Sequence, residues 1–316
     1  MEATLTTSRT DRRTGLAVQV RGLVKRYGDT TAVAGLDLEI QHEEVFALLG
    51  PNGAGKTTTV EVLEGYRRAD AGEVRVLGED PASAGREWRA RIGIVLQTSA
   101  EAAELTVEEM VRHFAGYYPR PRAVDEVIAA VGLEEKRRAR MRALSGGQRR
   151  RLDVALGIVG NPDLLFLDEP TTGFDPEARR AFWDLVHDLR GDGTTILLTT
   201  HYLDEAEHLA DRVGVISSGR LLAVDTPQHL GGRDEHRARV RWEEAGAVRE
   251  ELTATPTRLV TELAARFDGE VPGLSVRRPS LEDVYLAMIE GRQDLSAPTG
   301  TPDGTRPAEA AGGEHR

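Results

Sequence analysis

The stretch Gly50-Pro51-Asn52-Gly53-Ala54-Gly55-Lys56-Thr57-Thr58 follows the apolar run Val45–Leu49 and precedes a helix-compatible segment over 57–68. A buried strand, a glycine-rich turn and a helix start in this order form a P-loop, whose backbone N–H groups face inward and cradle phosphates. Lys56 would add a positive charge near the β- and γ-phosphates, and the Thr57 hydroxyl would complete the shell of a Mg²⁺ ion.

The alternative is an ordinary glycine-rich turn between a strand and a helix. Only three of the 41 basic residues are lysine, namely Lys25, Lys56 and Lys136. A chain that otherwise uses arginine has lysine at the one position where a compact ammonium serves better than a planar guanidinium. This choice favours phosphate binding.

Composition limits the classes of protein that remain. The 316 residues carry a net charge of −11, and the sequence pI is about 5.3. This balance argues against a nucleic-acid partner. The sequence has no cysteine and no apolar run long enough to cross a bilayer. We therefore expect a cytoplasmic protein that meets a membrane only through a partner.

The pattern along the chain predicts an α/β fold: a P-loop NTPase core with a mostly parallel sheet, an antiparallel β layer and a helical insertion, plus a small α+β C-terminal appendage. We expect a disordered leader over 1–15 and a disordered tail over 292–316, since both are polar and without periodicity. The nucleotide-binding domain is expected over 16–229, with the helical insertion at about 98–158, and the appendage over 230–291.

Three polar positions follow predicted strands of the core. Asp168 and Glu169 come after the apolar run 164–167, which has the form of a Walker B element: Asp168 would hold Mg²⁺, and Glu169 would polarise the attacking water. His201 follows the strand 195–199, and Gln97 ends the strand 91–96. Acidic residues and amides at such places are also common turn formers, and a lone histidine is usually a surface residue. The upstream P-loop favours the catalytic interpretation of the acidic pair.

The segment Leu144-Ser145-Gly146-Gly147-Gln148 has two compatible interpretations. Ser145 and Gln148 form a capping box for a helix that runs to about Val159. The two glycines weaken that helix but leave N–H groups accessible at its positive end, where an anion binds well. The following arginines, 149–151, are expected to form a solvated or acid-paired face.

Two further residues have a structural and a functional interpretation. Tyr27 lies in a loop of the antiparallel layer, where its ring packs against neighbours or stacks on adenine. Asp175 precedes Pro176 and is expected to cap the next helix.

The order of these motifs resembles the ATP-binding subunit of ABC transporters over about 18–227. The resemblance implies that Tyr27 is the adenine-stacking residue, that 50–58 is the Walker A motif and that Gln97 is the Q-loop residue, which touches Mg²⁺. It also implies that 144–148 is the LSGGQ signature. Finally, it gives four roles to residues near the phosphates. Asp168 would be the Walker B acid, Glu169 the catalytic base, Asp175 the D-loop aspartate and His201 the γ-phosphate sensor.

The wording Thr171-Thr172-Gly173-Phe174-Asp175-Pro176, with the closing segment 279–285, is similar to drug exporters of the daunorubicin-resistance type. Many family members have Ser-Ala-Leu-Asp at the D-loop, so this sequence departs there. The resemblance implies a homodimer around ATP and Mg²⁺ that powers a separately encoded transmembrane permease. Two alternatives stay open: a non-transport ABC ATPase that acts on ribosomes or chromosomes, and a regulatory ATP-binding module without catalysis.

Overall fold

In the computed structural model, which describes residues 15–95, 104–233 and 238–291, the strands form three separate sheets. In chain order the strands are β1 Leu16–Tyr27, β2 Thr30–Gln41, β3 Val45–Leu49, β4 Ala71–Val76, β5 Ile92–Val95, β6 Leu164–Asp168, β7 Thr195–Thr200, β8 Arg212–Ser217, β9 Arg220–Asp225, β10 Ala238–Glu244, β11 Ala247–Thr253 and β12 Ser275–Arg277. The helices are α1 Lys56–Leu63, α2 Arg86–Arg89, α3 Val107–Ala115, α4 Val124–Ala130, α5 Gly146–Ile158, α6 Pro176–Gly191, α7 Leu203–Leu209, α8 Pro256–Arg266 and α9 Leu281–Ile289.

The largest sheet has six strands in the order β5-β6-β7-β3-β8-β9. Its pairs are parallel except β8 with β9, which form an antiparallel hairpin. Residues of β3 and β7 are buried along their whole length, because helices or the second sheet cover both faces. The P-loop strand β3 therefore lies inside the sheet, between β7 and β8.

The second sheet is the predicted antiparallel layer, with the order β2-β1-β4. Its inward side chains, such as Val18, Leu36 and Val76, share a core with Val60 and Leu63 of α1 and with Phe46 and Phe166 of the six-stranded sheet. The layer therefore holds the P-loop helix against the main sheet. The predicted fold class is confirmed.

Helices α3, α4 and α5 follow β5 and precede β6, where the helical insertion was expected. Their apolar faces share the core on the other side of the main sheet, through Val111, Ile128 and Leu152. Thr106 caps α3 in a capping box with Glu109.

The first helix is shorter than the helix-compatible segment 57–68, and it ends at Leu63. Gly65 has φ +75°, and a Cβ there would lie 2.6 Å from the Pro81 carbonyl oxygen. This left-handed turn ends the helix and lets the chain pack closely against the loop after β4. Three of these elements were not predicted, namely α2, α7 and β11; β11 is mostly exposed and so has no buried face.

The last part of the chain is divided between two cores. Strands β10, β11 and β12 form a three-stranded sheet, and Val240, Trp242 and Leu263 pack between it and α8. Helix α9 instead joins the main core through Leu281 and Val284. It begins after Ser280, which forms a capping box with Asp283.

Two tryptophans allow a matched test of this packing. Trp88 is 1% exposed, and its Nε1 donates to the Val76 carbonyl oxygen at 2.8 Å. Trp183 is half-buried, and its Nε1 has no hydrogen-bond partner among the described residues. We expect W88F to lower the free energy of unfolding by about 1–3 kcal/mol, from a lost hydrogen bond and a small cavity. W183F should cost less, and denaturant melts that show equal losses would contradict this.

Candidate active site

The glycines of the P-loop are positions where a side chain does not fit. A Cβ at Gly50 would lie 2.4 Å from the Ile216 carbonyl oxygen, so the loop passes directly against β8. Gly55 has φ +106°, and a Cβ there would lie 2.5 Å from the Ala32 carbonyl oxygen of the antiparallel layer. Gly53 also has a left-handed conformation, with φ +79°. The loop is thus packed between two sheets in a backbone shape that requires glycine.

Lys56 begins α1 and is only 6% exposed. Its Nζ donates to the carbonyl oxygens of Gly50 at 2.6 Å and Pro51 at 3.2 Å, which holds the ammonium over the loop. Burial lowers the pKa of Lys56, and the carboxylates of Glu169 and Asp168 act in the opposite direction. The lysine and both acidic residues therefore share one electrostatic environment.

The end of β6 is fixed by hydrogen bonds from two other elements. The Thr199 hydroxyl on β7 donates to the Asp168 carboxylate. Arg150 on α5 donates to the carbonyl oxygens of Asp168 at 2.6 Å and Pro170 at 3.1 Å. The helix that begins at the LSGGQ segment is therefore tied directly to the acidic loop.

Glu169 has an unusual backbone conformation, with φ +45°. Its N–H donates to the Thr199 carbonyl oxygen at 3.0 Å, and its Oε1 lies 3.2 Å from Nδ1 of His201. A left-handed glutamate costs about 1–2 kcal/mol, and such strain is concentrated at functional sites. The loop thus aims the carboxylate at the histidine that follows β7.

These groups border one cavity of about 760 Å³. It is lined by P-loop residues, by two residues of the antiparallel layer, by the acid and histidine after β6 and β7, and by one residue of α9: Tyr27, Ala32, Gly50, Pro51, Asn52, Gly53, Gly55, Lys56, Thr57, Thr58, Glu169, His201 and Tyr285. Most of the predicted contact residues are therefore brought together.

Tyr27 is 40% exposed, and two cations lie over its ring. Lys25 Nζ is 5.7 Å and the Arg67 guanidinium 5.3 Å from the ring centroid. Such cations stabilise the position of the ring beside the cavity. An aromatic face at this place is suited to stacking on a nucleotide base.

Other predicted residues lie elsewhere in the single chain. Asp168 is not among the residues that line the cavity, and Ala54 is buried in the core. Ser145, Gly146, Gly147 and Gln148 lie at the start of α5, outside this lining, with the Ser145 hydroxyl accepting from the Gln148 N–H at 3.2 Å. Asp175 caps α6 by accepting from the Ala178 N–H at 2.8 Å. Gln97 lies outside the described residues.

The donor set fits Mg²⁺ that arrives with a triphosphate. Among the described residues, no group of three or more histidine or acidic side chains is arranged to hold a metal ion. Mg²⁺ usually takes one or two carboxylates and substrate phosphates rather than a cage of protein ligands. Asp168 and the exposed Thr57 hydroxyl supply that smaller set.

Sequence reasoning did not foresee the burial of one arginine and missed two acidic groups. Arg150 was expected on a solvated or acid-paired face, but it is 7% exposed and bonds to carbonyl oxygens at the end of β6. Glu205 on α7 is fully buried, which raises its pKa against the opposing effect of the Thr200 and Thr171 hydroxyls. Glu64, at the end of α1, has its pKa raised to about 8 by burial and by the negative charges of Asp168 and Glu61.

The parallel sheet, the P-loop and the convergent acid and histidine define a P-loop ATPase with the ATP-binding-cassette arrangement. The ABC transporter family model matches residues 33–172. The daunorubicin/doxorubicin resistance ATP-binding protein DrrA of Streptomyces peucetius is 39% identical, over 95% of this chain and 97% of its own length. The Nod factor export ATP-binding protein I of Ralstonia nicotianae is 43% identical, over 67% of this chain and 68% of its own. The chain belongs to the ABC transporter family as an ATP-binding, ATP-hydrolysing subunit.

Solved structures show the same fold. The ATP-binding subunit of an ABC transporter superimposes with a TM-score of 0.66 at 22% identity, over 87% of this chain and 99% of that one. A dimeric bacterial ABC transporter cassette superimposes with a TM-score of 0.60 at 22% identity, over 66% of this chain and 98% of that one. Within the described ranges, none of the helices is both long and apolar enough to cross a membrane.

Glu64 predicts a pH-dependent stability. Its folded-state pKa of about 8 lies above the ordinary value of 4.5, so the folded chain binds more protons than the unfolded chain between these values. The contribution of Glu64 to the free energy of unfolding therefore falls as the pH rises from 4.5 to about 8. We expect the melting temperature of E64Q, relative to the parent chain, to rise between about pH 5.5 and pH 8.5. The exposed α2 variant E87Q should show a flat difference, and a flat E64Q profile would contradict the assignment.

Proposed function

We propose that ATP binds in the cavity above the P-loop and that the residues around it divide the work of hydrolysis. The N–H groups of 50–58 and Lys56 hold the phosphates, and Tyr27 stacks on the adenine. Glu169 accepts a proton from the attacking water, and His201 contacts the γ-phosphate. The support is the 3.2 Å approach of Glu169 to His201 at the mouth of the P-loop cavity.

Mg²⁺ would be held by the Thr57 hydroxyl and the Asp168 carboxylate, with Gln97 as a further ligand. The ion would neutralise charge on the β- and γ-phosphates when bound. The chain's own contribution is to fix the Asp168 side chain, because the Thr199 hydroxyl donates to it and Arg150 holds its carbonyl oxygen.

The catalytic site is split between two copies of the chain. The observation that carries this proposal is that 145–148 form an exposed helix start outside the chain's own cavity. A Cβ added at Gly146 or Gly147 would meet no atom within 4 Å, so this positive helix end is open to an approaching phosphate. In a head-to-tail homodimer, the Ser145 hydroxyl and these N–H groups would cover the γ-phosphate bound by the partner. Asp175 would lie near the same interface.

The dimer would power a separately encoded transmembrane permease and reside at the inner face of the membrane through that partner. The relatives named for daunorubicin resistance and for Nod factor export support an exporter, and drugs or antibiotics are the proposed cargo. The nucleotide-binding domain would comprise 16–229, with the insertion at about 98–158 transmitting the motion to the permease and 230–291 as an appendage.

We expect E169Q to bind ATP with unchanged affinity but to hydrolyse it about 10²- to 10⁴-fold more slowly, since the general base is removed. ATP should then trap the variant as a dimer, visible by size-exclusion chromatography with light scattering. E126Q changes an exposed glutamate of α4 and should hydrolyse ATP normally. Turnover by E169Q at the parent rate would refute the role of this residue.

Mixing two inactive variants tests the split site directly. K56A removes the phosphate lysine, and G146D places a negative charge at the signature helix start. A mixed dimer contains one site with an intact P-loop from one chain and an intact signature from the other, so an equal mixture should recover about one quarter of the parent activity. Each variant alone should stay inactive. If mixed dimers are detected by differential tags and activity is not recovered, the P-loop and the signature that serve one site would have to come from the same chain. That result would refute the split site.

Affinity purification from native membranes tests the cellular role. We expect a polytopic membrane protein to co-purify with the tagged chain in detergent, and E169Q with ATP should increase its yield. Recovery of ribosomes or chromosomal DNA in its place would support the non-transport alternative.

A further inference from the structure

The C-terminal helix α9 is built into the main core rather than into the small sheet that precedes it. Leu281 and Val284 are each 1% exposed within that core. Gly231 has φ +62°, and a Cβ there would lie 2.7 Å from Val284 Cγ1 and 2.5 Å from Met288 Cε. Helix α9 therefore packs closely on the turn after β9, in a place that only glycine allows.

Arg233 holds the start of α9 in place. Its Nε donates to the Pro279 carbonyl oxygen at 2.8 Å, and its Nη1 donates to Glu207 Oε1 at 2.7 Å and to the Pro227 carbonyl oxygen at 3.1 Å. Glu207 belongs to α7, the helix that begins two residues after His201. The Arg233 side chain thus links three segments: the residue before the Ser280 cap of α9, the loop after β9, and α7, which follows His201.

This fixed position brings Tyr285 to the wall of the P-loop cavity. Tyr285 lines the same space as Lys56, Glu169 and His201. Helix α9 contacts α7, the helix that follows His201, whereas Tyr27 lies on the antiparallel layer. Burial raises the pKa of the Tyr285 phenol, which keeps the hydroxyl protonated and able to donate a hydrogen bond at neutral pH.

We propose that Tyr285 is a further nucleotide-contacting residue, through which the C-terminal helix forms the phosphate-side wall of the ATP site of its own chain. The inference rests on the proposed function, since it needs the triphosphate in this cavity. ATP would then bind the P-loop and α9 at once, so nucleotide binding would hold α9 on the main domain. The small sheet and α8 have a separate core and would not respond directly.

Titration with the non-hydrolysable analogue AMP-PNP and Mg²⁺ tests the contact in the full chain. We expect Y285A to weaken binding about tenfold, the loss typical of one hydrogen bond to a charged group. The Y285F variant shows which part of the side chain makes the contact. A loss of affinity equal to that of Y285A would assign the contact to the hydroxyl, and an affinity equal to that of the parent chain would assign it to the ring. Either result supports contact between Tyr285 and the nucleotide. L286A, at the neighbouring exposed position on α9, should stay within about twofold of the parent chain. Y285A within twofold of the parent would overturn the proposal.

The Y27A variant separates this inference from the assignment of the site itself. Weak binding by Y27A with parent-like binding by Y285A would overturn only the role of α9. Absence of AMP-PNP binding by the parent chain would overturn both.

Hydrogen exchange of the parent chain keeps the inference testable if Y285A does not fold. We expect AMP-PNP to slow amide exchange in Leu281–Ile289 but not in Pro256–Arg266, because α8 packs on the other core. Unchanged exchange in α9, with slowed exchange in Lys56–Leu63, would overturn the proposal while leaving the nucleotide site in place.

Discussion

Parallel pairing of β6 and β3 on either side of β7 is the constraint on which the site depends. Leu49 pairs with Thr200, and Thr199 pairs with Asp168, so three strands end at nearly the same level. The residues that follow them are then neighbours in space although they are far apart in sequence. The P-loop, the acidic pair and the histidine meet at one edge because the strands share direction and register.

The parts of the site that sequence reasoning could predict are those whose chemistry is local. A glycine-rich turn after an apolar run, an acidic pair after another and a serine three residues before glutamine each specify their own geometry within a few residues. Local pattern also predicted the Asp175 cap, which the structure contains. The fold class followed from the same signals, because the order of strands and helices restricts the topology.

The residues that sequence reasoning missed depend on contacts between distant segments. Arg150 lies in a run of three arginines, and only packing decides which of them turns inward to the carbonyl oxygens of Asp168 and Pro170. Tyr285 lies more than a hundred residues after Glu169, and no local signal places it beside the P-loop. Strand β11 has no buried face to produce an alternating pattern, so periodicity could not reveal it.

The bond from Arg233 to the Pro279 carbonyl oxygen joins the two points at which the chain leaves and rejoins the main domain. Strands β10 to β12 and helix α8 lie between these two points in the sequence and fold around their own small core. This segment has the topology of an inserted module, and such insertions are tolerated when the surrounding domain keeps its own core. A change within the module therefore leaves the residues that line the P-loop cavity in place.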